Sequence, residues 1–454
     1  MAKRTLLAGG AVAVAAAAAG LSAMSETVTT ARIDSRFEGN DNYQLDETSP
    51  GDAFLWTNTL SFGMLSKTQT DTLDLRLSGD LRYADLPVVG TETAADNGTV
   101  NIKYDRKILD NSFTATFFMN DADVEYLDPL RTLDENGDFD DTTGSGRRNL
   151  ATASVDMTLG ADGPLRFTLR ASSRNTDYRD TTDPDLVDQQ RHSVNAELGL
   201  ELSETNDLVL ATNYVSSTRD DDDPNSETIG GRIGFDTQFS PRLVVKSRVG
   251  YERVESDYTD EPDKLVEDPV ASLDFDYEMP NGSITGGAAS RVTENGQRNQ
   301  LYVGRSLTLP AGTLDTRVGV SNSDSTDIQP LFQIGYGIER PTSFFDLDFA
   351  QSVNVDSDGN DILNASLRAN YGYAINPVSS LGLSAVAARK QALNEGAEAD
   401  VTRMTLTASY DHSLTQDWAV STGVSHQSRL EDEGSDARSN SVFLTLSRSF
   451  QSRR

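Results

Sequence analysis

Residues 72–83 read TLDLRLSGDLRY. Leu73, Leu75, Leu77, Gly79, Leu81 and Tyr83 alternate without a break with Thr72, Asp74, Arg76, Ser78, Asp80 and Arg82. An extended strand sends successive side chains to opposite faces, so this segment has one apolar and one charged face, a pattern helical spacing cannot produce. The alternation recurs at 151–159, 194–202 and 363–373. Each run covers about 9–12 residues, the length a tilted strand needs to cross a bilayer.

Working outward from these runs, about 22 alternating segments follow one another, the first near residue 28 and the last near residue 440. Short connections, such as 66–70, 203–207, 310–312 and 376–377, take every other gap, and longer acidic ones fill the rest. Short turns on one side and long loops on the other are the pattern of an outer-membrane barrel, with turns in the periplasm and loops outside. An even strand count puts both termini in the periplasm. Proline, which cannot donate to a ladder, tests the map: all 14 prolines fall in turns, loops or strand starts. Aromatic side chains band near strand ends: Phe113, Phe239, Tyr277, Tyr336 and Trp418 toward the turns, Phe37, Trp56, Tyr83 and Tyr251 toward the loops. Such girdles sit where hydrocarbon meets headgroup. Every backbone N–H and C=O in hydrocarbon needs a partner, so the sheet must close, with 440–450 pairing 28–38. The fold expected is all-β, a single closed antiparallel transmembrane β-barrel of about 22 strands (20 to 24).

Composition agrees with this and removes other classes. The 454 residues carry 39 Lys+Arg against 71 Asp+Glu, a net charge of −32, which argues against a nucleic-acid reader. Only 37% are hydrophobic; a barrel tolerates this because lipid, not a protein core, covers its apolar face. With no cysteine there is no disulfide, thiolate metal site or lipidated cysteine. Lys3 and Arg4 precede an apolar run from Leu6 to Ala19 and small residues at Ala18, Gly20 and Ala23, the pattern of a secretory signal peptide, residues 1–24, exported ahead of a barrel domain, residues 25–454. A membrane-anchoring helix is the alternative, but the run is short for about 30 Å of hydrocarbon. The first strand starts so soon afterwards that a separate N-terminal plug has no room.

The end, with Val442, Leu444, Leu446 and Phe450 in one phase, resembles the assembly signal of Gram-negative outer-membrane barrels, and residues 31–66, with Asp41-Asn42 before a long alternating strand, resemble outer-membrane β-barrel porins. Two departures are the four residues after Phe450 and Arg448 in the outward phase. The resemblance implies passive transport, insertion by the barrel assembly machinery, and outer-membrane lipid and lipopolysaccharide as partners.

On the lumen-facing phase lie Arg32, Arg36, Asp74, Arg76, Asp80, Arg82, Arg166, Arg170, Arg174, Lys246, Arg248 and Glu252, the expected pore lining. A charged selectivity surface and a merely solvated, self-neutralising wall fit it equally. The connection 121–149 is long enough to fold inward as a constriction. Asp134, Asn136, Asp138 and Asp140 sit at alternate positions around Gly137, like the start of a calcium loop, but the position eleven after Asp134 is Ser145, not Glu. They leave Ca or Mg at the acidic loops as a weak expectation; no other cofactor is expected. His192, His412 and His426 show no serine or acid partner in sequence, so no catalytic residue is assigned. The expected function is a porin-like channel for passive diffusion of small hydrophilic solutes, cation-preferring because of its acidic rim. The alternatives are an accessory barrel of a polysaccharide export or surface-assembly system, and a non-conducting adhesin.

Overall fold

The structure, a computed structural model, describes residues 26–453 except 129, 131–143, 184–185, 221–224, 259–261, 356–359, 394–399 and 432–435. The signal-peptide segment 1–24 and the calcium-loop candidates Asp134, Asn136, Asp138 and Asp140 lie outside the described residues. Twenty-two antiparallel strands form one sheet, from β1 (Glu26–Asn40) and β2 (Ala53–Lys67) to β21 (Trp418–Glu431) and β22 (Ala437–Arg453). Each strand pairs with its chain neighbours, and β22 returns to β1 over Val28↔Arg453 to Asn40↔Ser441. Closure leaves no free edge between the first and last strands, as the hydrocarbon requires.

The quoted segment lies in β3 (Asp71–Leu86), where Leu77, Leu81 and Tyr83 are exposed on the outer face. The lipid-facing band is built this way along the strands, with Phe62, Leu210, Ile233, Val249, Leu273 and Leu383 among the large apolar side chains exposed on it. Girdle aromatics pair across strands, Phe37 stacking on Trp56 at 5.7 Å and Tyr336 tilting against Phe345 at 6.0 Å. The out-of-phase arginines are accommodated locally. Arg448 lies over the rings of Trp418 and Phe450, 5.1 and 4.6 Å from their centroids. Arg305 reaches to the strand end, where it donates to the Asn281 side-chain oxygen at 2.7 Å, a snorkelling cation.

The map of connections needs one correction. Two connections on the loop side are short: residues 87–89 join β3 to β4 (Gly90–Ile108), and 294–295 join β13 (Gly282–Thr293) to β14 (Gly296–Leu309). In the first, β4 runs on past the bulge between Ser78 and Asp80, so residues expected in a loop are ladder. A bulge absorbs one extra residue and lets pairing continue beyond it.

Candidate functional site at the loop end of the barrel

On the inner face near the loop end, side chains pack against one another and against the connections. Three clusters produce this. In the first, Ala53 and Leu55 of β2 and Ala84 and Leu86 of β3 form a small apolar floor. Tyr43 of the β1–β2 connection and Tyr126, just beyond β5 (Asn111–Asp123), cover it, their rings 5.2 Å apart. Arg82, 5% exposed, lies over the Tyr126 ring and is paired with Asp96, with Glu92 at 3.5 Å and Asp123 at 3.4 Å. Asp121 nearby binds both Arg147 and Arg179. Burial pushes the Tyr43 and Tyr126 phenols well above their ordinary values, and the Tyr126 hydroxyl donates to the Glu92 carboxylate. Burial also raises the Glu125 carboxyl, helped by the charges of Asp123 and Glu92.

The second cluster joins opposite parts of the mouth. Leu130 packs on Ala388 of β19 (Ser379–Ala392), with Val386 and with Val401 of β20 (Val401–Ser413) beside it. Tyr126 and Leu130 are four residues apart, yet they touch β2 and β20, four strand steps or about 19 Å apart along the wall. Tyr126 and Leu130, both of the β5–β6 connection, therefore reach separate parts of the mouth.

The third cluster laces three hairpin tips around Asp361, the first residue of β18 (Asp361–Asn376). Its carboxylate is paired with Arg298 of β14 and accepts from Asn295 at 3.1 Å, Ser323 at 2.9 Å and Ser325 at 2.8 Å. Arg298 also donates to the Val353 carbonyl at 3.2 Å. Both charges are essentially fully buried, at 1% and 0% exposure. Sequence reading missed this site, because Asp361 sits next to an acidic loop and looks like one more solvated carboxylate.

The expected lining residues divide between these settings. Arg82 and Glu252 are buried at the loop end, Glu252 paired with Arg232 at 2.5 Å and accepting the Val292 N–H at 3.1 Å; they belong to the packing rather than to a wet wall. Arg32, Arg36 and Arg76 fold back on Asp34, Glu38 and Asp74 two residues away on their own strands, at 2.7–2.8 Å. Asp80 accepts from Thr59 at 2.6 Å and Asn97 at 3.0 Å, and Arg170 lies 3.5 Å from Asp156. Arg174 lies on β7 (Leu165–Arg179) opposite Thr152. Near the turn end, Arg166, Lys246 and Arg248 converge with Glu197, Asp207 and Asp236 around a space of about 490 Å³. Arg248 holds Asp236 at 2.7 Å, and Arg166 lies 3.7–3.8 Å from all three acids. His412 has a serine partner that the sequence did not reveal: its Nδ1 is 2.9 Å from Ser379 Oγ, which the Tyr410 hydroxyl also reaches at 3.2 Å.

No protein-family model matches the chain, and no curated protein matches it by sequence. Among solved structures it is similar to the FrpB iron transporter from Neisseria meningitidis, at 10% identity and TM-score 0.57, covering 96% of this chain and 84% of that one. It is also similar to the siderophore receptor PirA from Acinetobacter baumannii, at 10% identity and TM-score 0.51, covering 95% and 81%. A ferric enterobactin receptor from Pseudomonas aeruginosa aligns at 9% identity and TM-score 0.50, covering 95% and 82%. The chain has the closed 22-strand fold of these outer-membrane barrels. This corrects the expectation of a passive porin: the barrels it superposes on are an iron transporter and siderophore receptors. Neither the polysaccharide-export accessory nor the adhesin matches them. These neighbours are transporters and receptors, not enzymes.

Proposed function

We propose that the protein is an outer-membrane uptake barrel that binds an iron chelate at its loop end and admits it through an energy-requiring, gated step. The observation that carries this reading is the packing at the loop end, where Tyr126 and Leu130 of one connection meet separate parts of the rim and Asp361 ties three hairpin tips, in a barrel of the transporter size. A passive pore can narrow its lumen with one inward loop, but it has no need for a fully buried ion pair that laces three hairpin tips together. A receptor does: the closed state holds the ligand outside until work is done to open it. The likeness to an iron transporter and siderophore receptors supplies the cargo class. In this reading the loop end faces the exterior and the turn end the periplasm, with both termini there.

The test is uptake of radiolabelled iron, presented as a panel of ferric siderophores, by cells with and without the gene under iron limitation. Loss of uptake of one chelate on deletion, restored by the intact gene and abolished by dissipating the proton gradient, is the expected result. Uptake that is unchanged for every chelate, or that survives loss of the gradient, overturns the proposal.

A further inference from the structure

Arg174 of β7 and Arg191 of β8 (Gln189–Ser203) are direct cross-strand partners, both in the lumen-facing phase and a few residues below the rim of the loop end. Like charges directly opposite each other in a sheet repel. Among the described residues the barrel sets two arginines opposite each other at three other places, and each time it supplies a carboxylate. Arg147 and Arg179 share Asp121, which accepts from the Arg147 Nε at 2.9 Å. Arg291 and Arg298 have Asp361 on Arg298, and Arg403 and Arg429 have Glu431 on Arg429. Arg174 and Arg191 have no such partner among the described residues, and no Asp or Glu stands in their phase within four residues along either strand. Hydroxyls surround them instead. Thr152 of β6 (Arg147–Leu159) stands opposite Arg174, and Ser217 of β9 (Asn206–Arg219) opposite Arg191. Ser172 and Ser193, their oxygens 2.8 Å apart, come next along the two strands.

We infer that the Arg174–Arg191 pair binds one anionic oxygen group, a carboxylate or a phosphate, of a ligand entering from the loop end. Asp121 shows what such a pair holds: two facing guanidinium forks take one carboxylate from both sides. The hydroxyls of Thr152, Ser172, Ser193 and Ser217 stand where they can donate to its remaining lone pairs. The chain has 71 acidic residues against 39 basic ones, so a pair left without a carboxylate is not short of candidates. The nearest acids in the same phase are occupied elsewhere, Asp156 at 3.5 Å from Arg170 and Glu197 at 3.8 Å from Arg166. Arg174 is half-buried and Arg191 exposed, so the pair is open to the lumen. The negative charge of the whole chain acts on a ligand's net charge, whereas this pair acts on one group within it. The ligand that suits both has a neutral or positive net charge and a single acidic group. If the barrel takes up a chelate as proposed above, that group belongs to the chelate; the site itself does not rest on that reading.

The experiment is equilibrium dialysis of the purified full barrel in detergent against radiolabelled succinate and, separately, radiolabelled inorganic phosphate. One saturable site per barrel is expected, weakening as ionic strength rises. Arg174→Gln and Arg191→Gln should each weaken binding about tenfold, the size of one charged hydrogen bond, while keeping the heat-modifiable mobility of a folded barrel. Thr152→Asp, which sets a resident carboxylate opposite Arg174, should abolish binding with both arginines still in place. Tighter succinate assigns a carboxylate-bearing ligand, and tighter phosphate a phosphate-bearing one. Failure of both anions to bind the unaltered barrel, or binding unchanged in all three variants, would overturn the inference. Loss of the chelate-uptake reading with anion binding intact would leave it standing, so the two fail separately.

Discussion

Asp361 draws its donors from three hairpin tips, so a single carboxylate decides whether the tips stay together. Removing only its charge strands Arg298 in a site with 1% exposure. Asp361→Asn should cost about 3–5 kcal/mol of local stability, and replacing both partners with Leu and Met should recover only part of it, because the stranded charge is gone but Asn295, Ser323 and Ser325 have lost their acceptor. Hydrogen exchange at the β14, β16 (Gln329–Arg340) and β18 tips reads the difference. Equal protection in the single and double variants would show that the pair does not hold the tips. Asp41 makes the corresponding tie at the seam where β1 meets β22, and its sign can be worked out. Its carboxyl lies below the ordinary value chiefly because the Asn440 backbone donates to it. The stabilisation is therefore present above the ordinary carboxylate range and is lost as pH falls through the depressed folded value. Asp41→Asn should flatten the acid limb of thermal stability from about pH 5 down through the depressed folded value, and an unchanged limb would assign that acid sensitivity elsewhere.

At the scale of elements, the strands and the connections obeyed different rules. Strand phase was legible because one face must be apolar for lipid and the other polar for water, so nearly every residue of β3 or β22 carries information. The β13 and β14 strands read poorly, because Gly286 and Gly287 have no side chain to show a phase and Arg305 stands in the apolar one. Connections carry no such constraint. The β5–β6 connection could be singled out for its length, but that Leu130 ends on Ala388 across the mouth depends on which strands closure brings opposite. Deleting residues 130–146 should convert an electrically silent barrel into one with resolvable single-channel steps in a planar bilayer. Continued silence would show that the mouth stays closed without this segment.

For the whole molecule, the net charge of −32 sets a negative long-range field around the protein. That field raises the local concentration of cations and lowers that of anions before any contact is made. Among the ferric chelates proposed as cargo, this field favours a cationic one. Its association rate should fall as salt rises from about 0.01 to 0.15 M, where the screening length shrinks from about 30 to 8 Å. Stopped-flow fluorescence quenching by chelates of differing charge checks this, and faster binding of a trianionic chelate at low salt would contradict it.

The sequence by itself determined the barrel, its strand number to within about two and the pairing of its ends, because a bilayer leaves an alternating chain one way to satisfy its backbone. It also marked which face of each strand meets water. It could not show that this water-facing surface is packed at one end and open at the other. Arg82 and Arg76 stand on the same strand, in the same phase and in similar company, yet one is 5% exposed and the other points into solvent. Local pattern assigns a side chain to a face; only closure and the fold of the connections decide what lies opposite it, and that is where the passive-pore expectation failed.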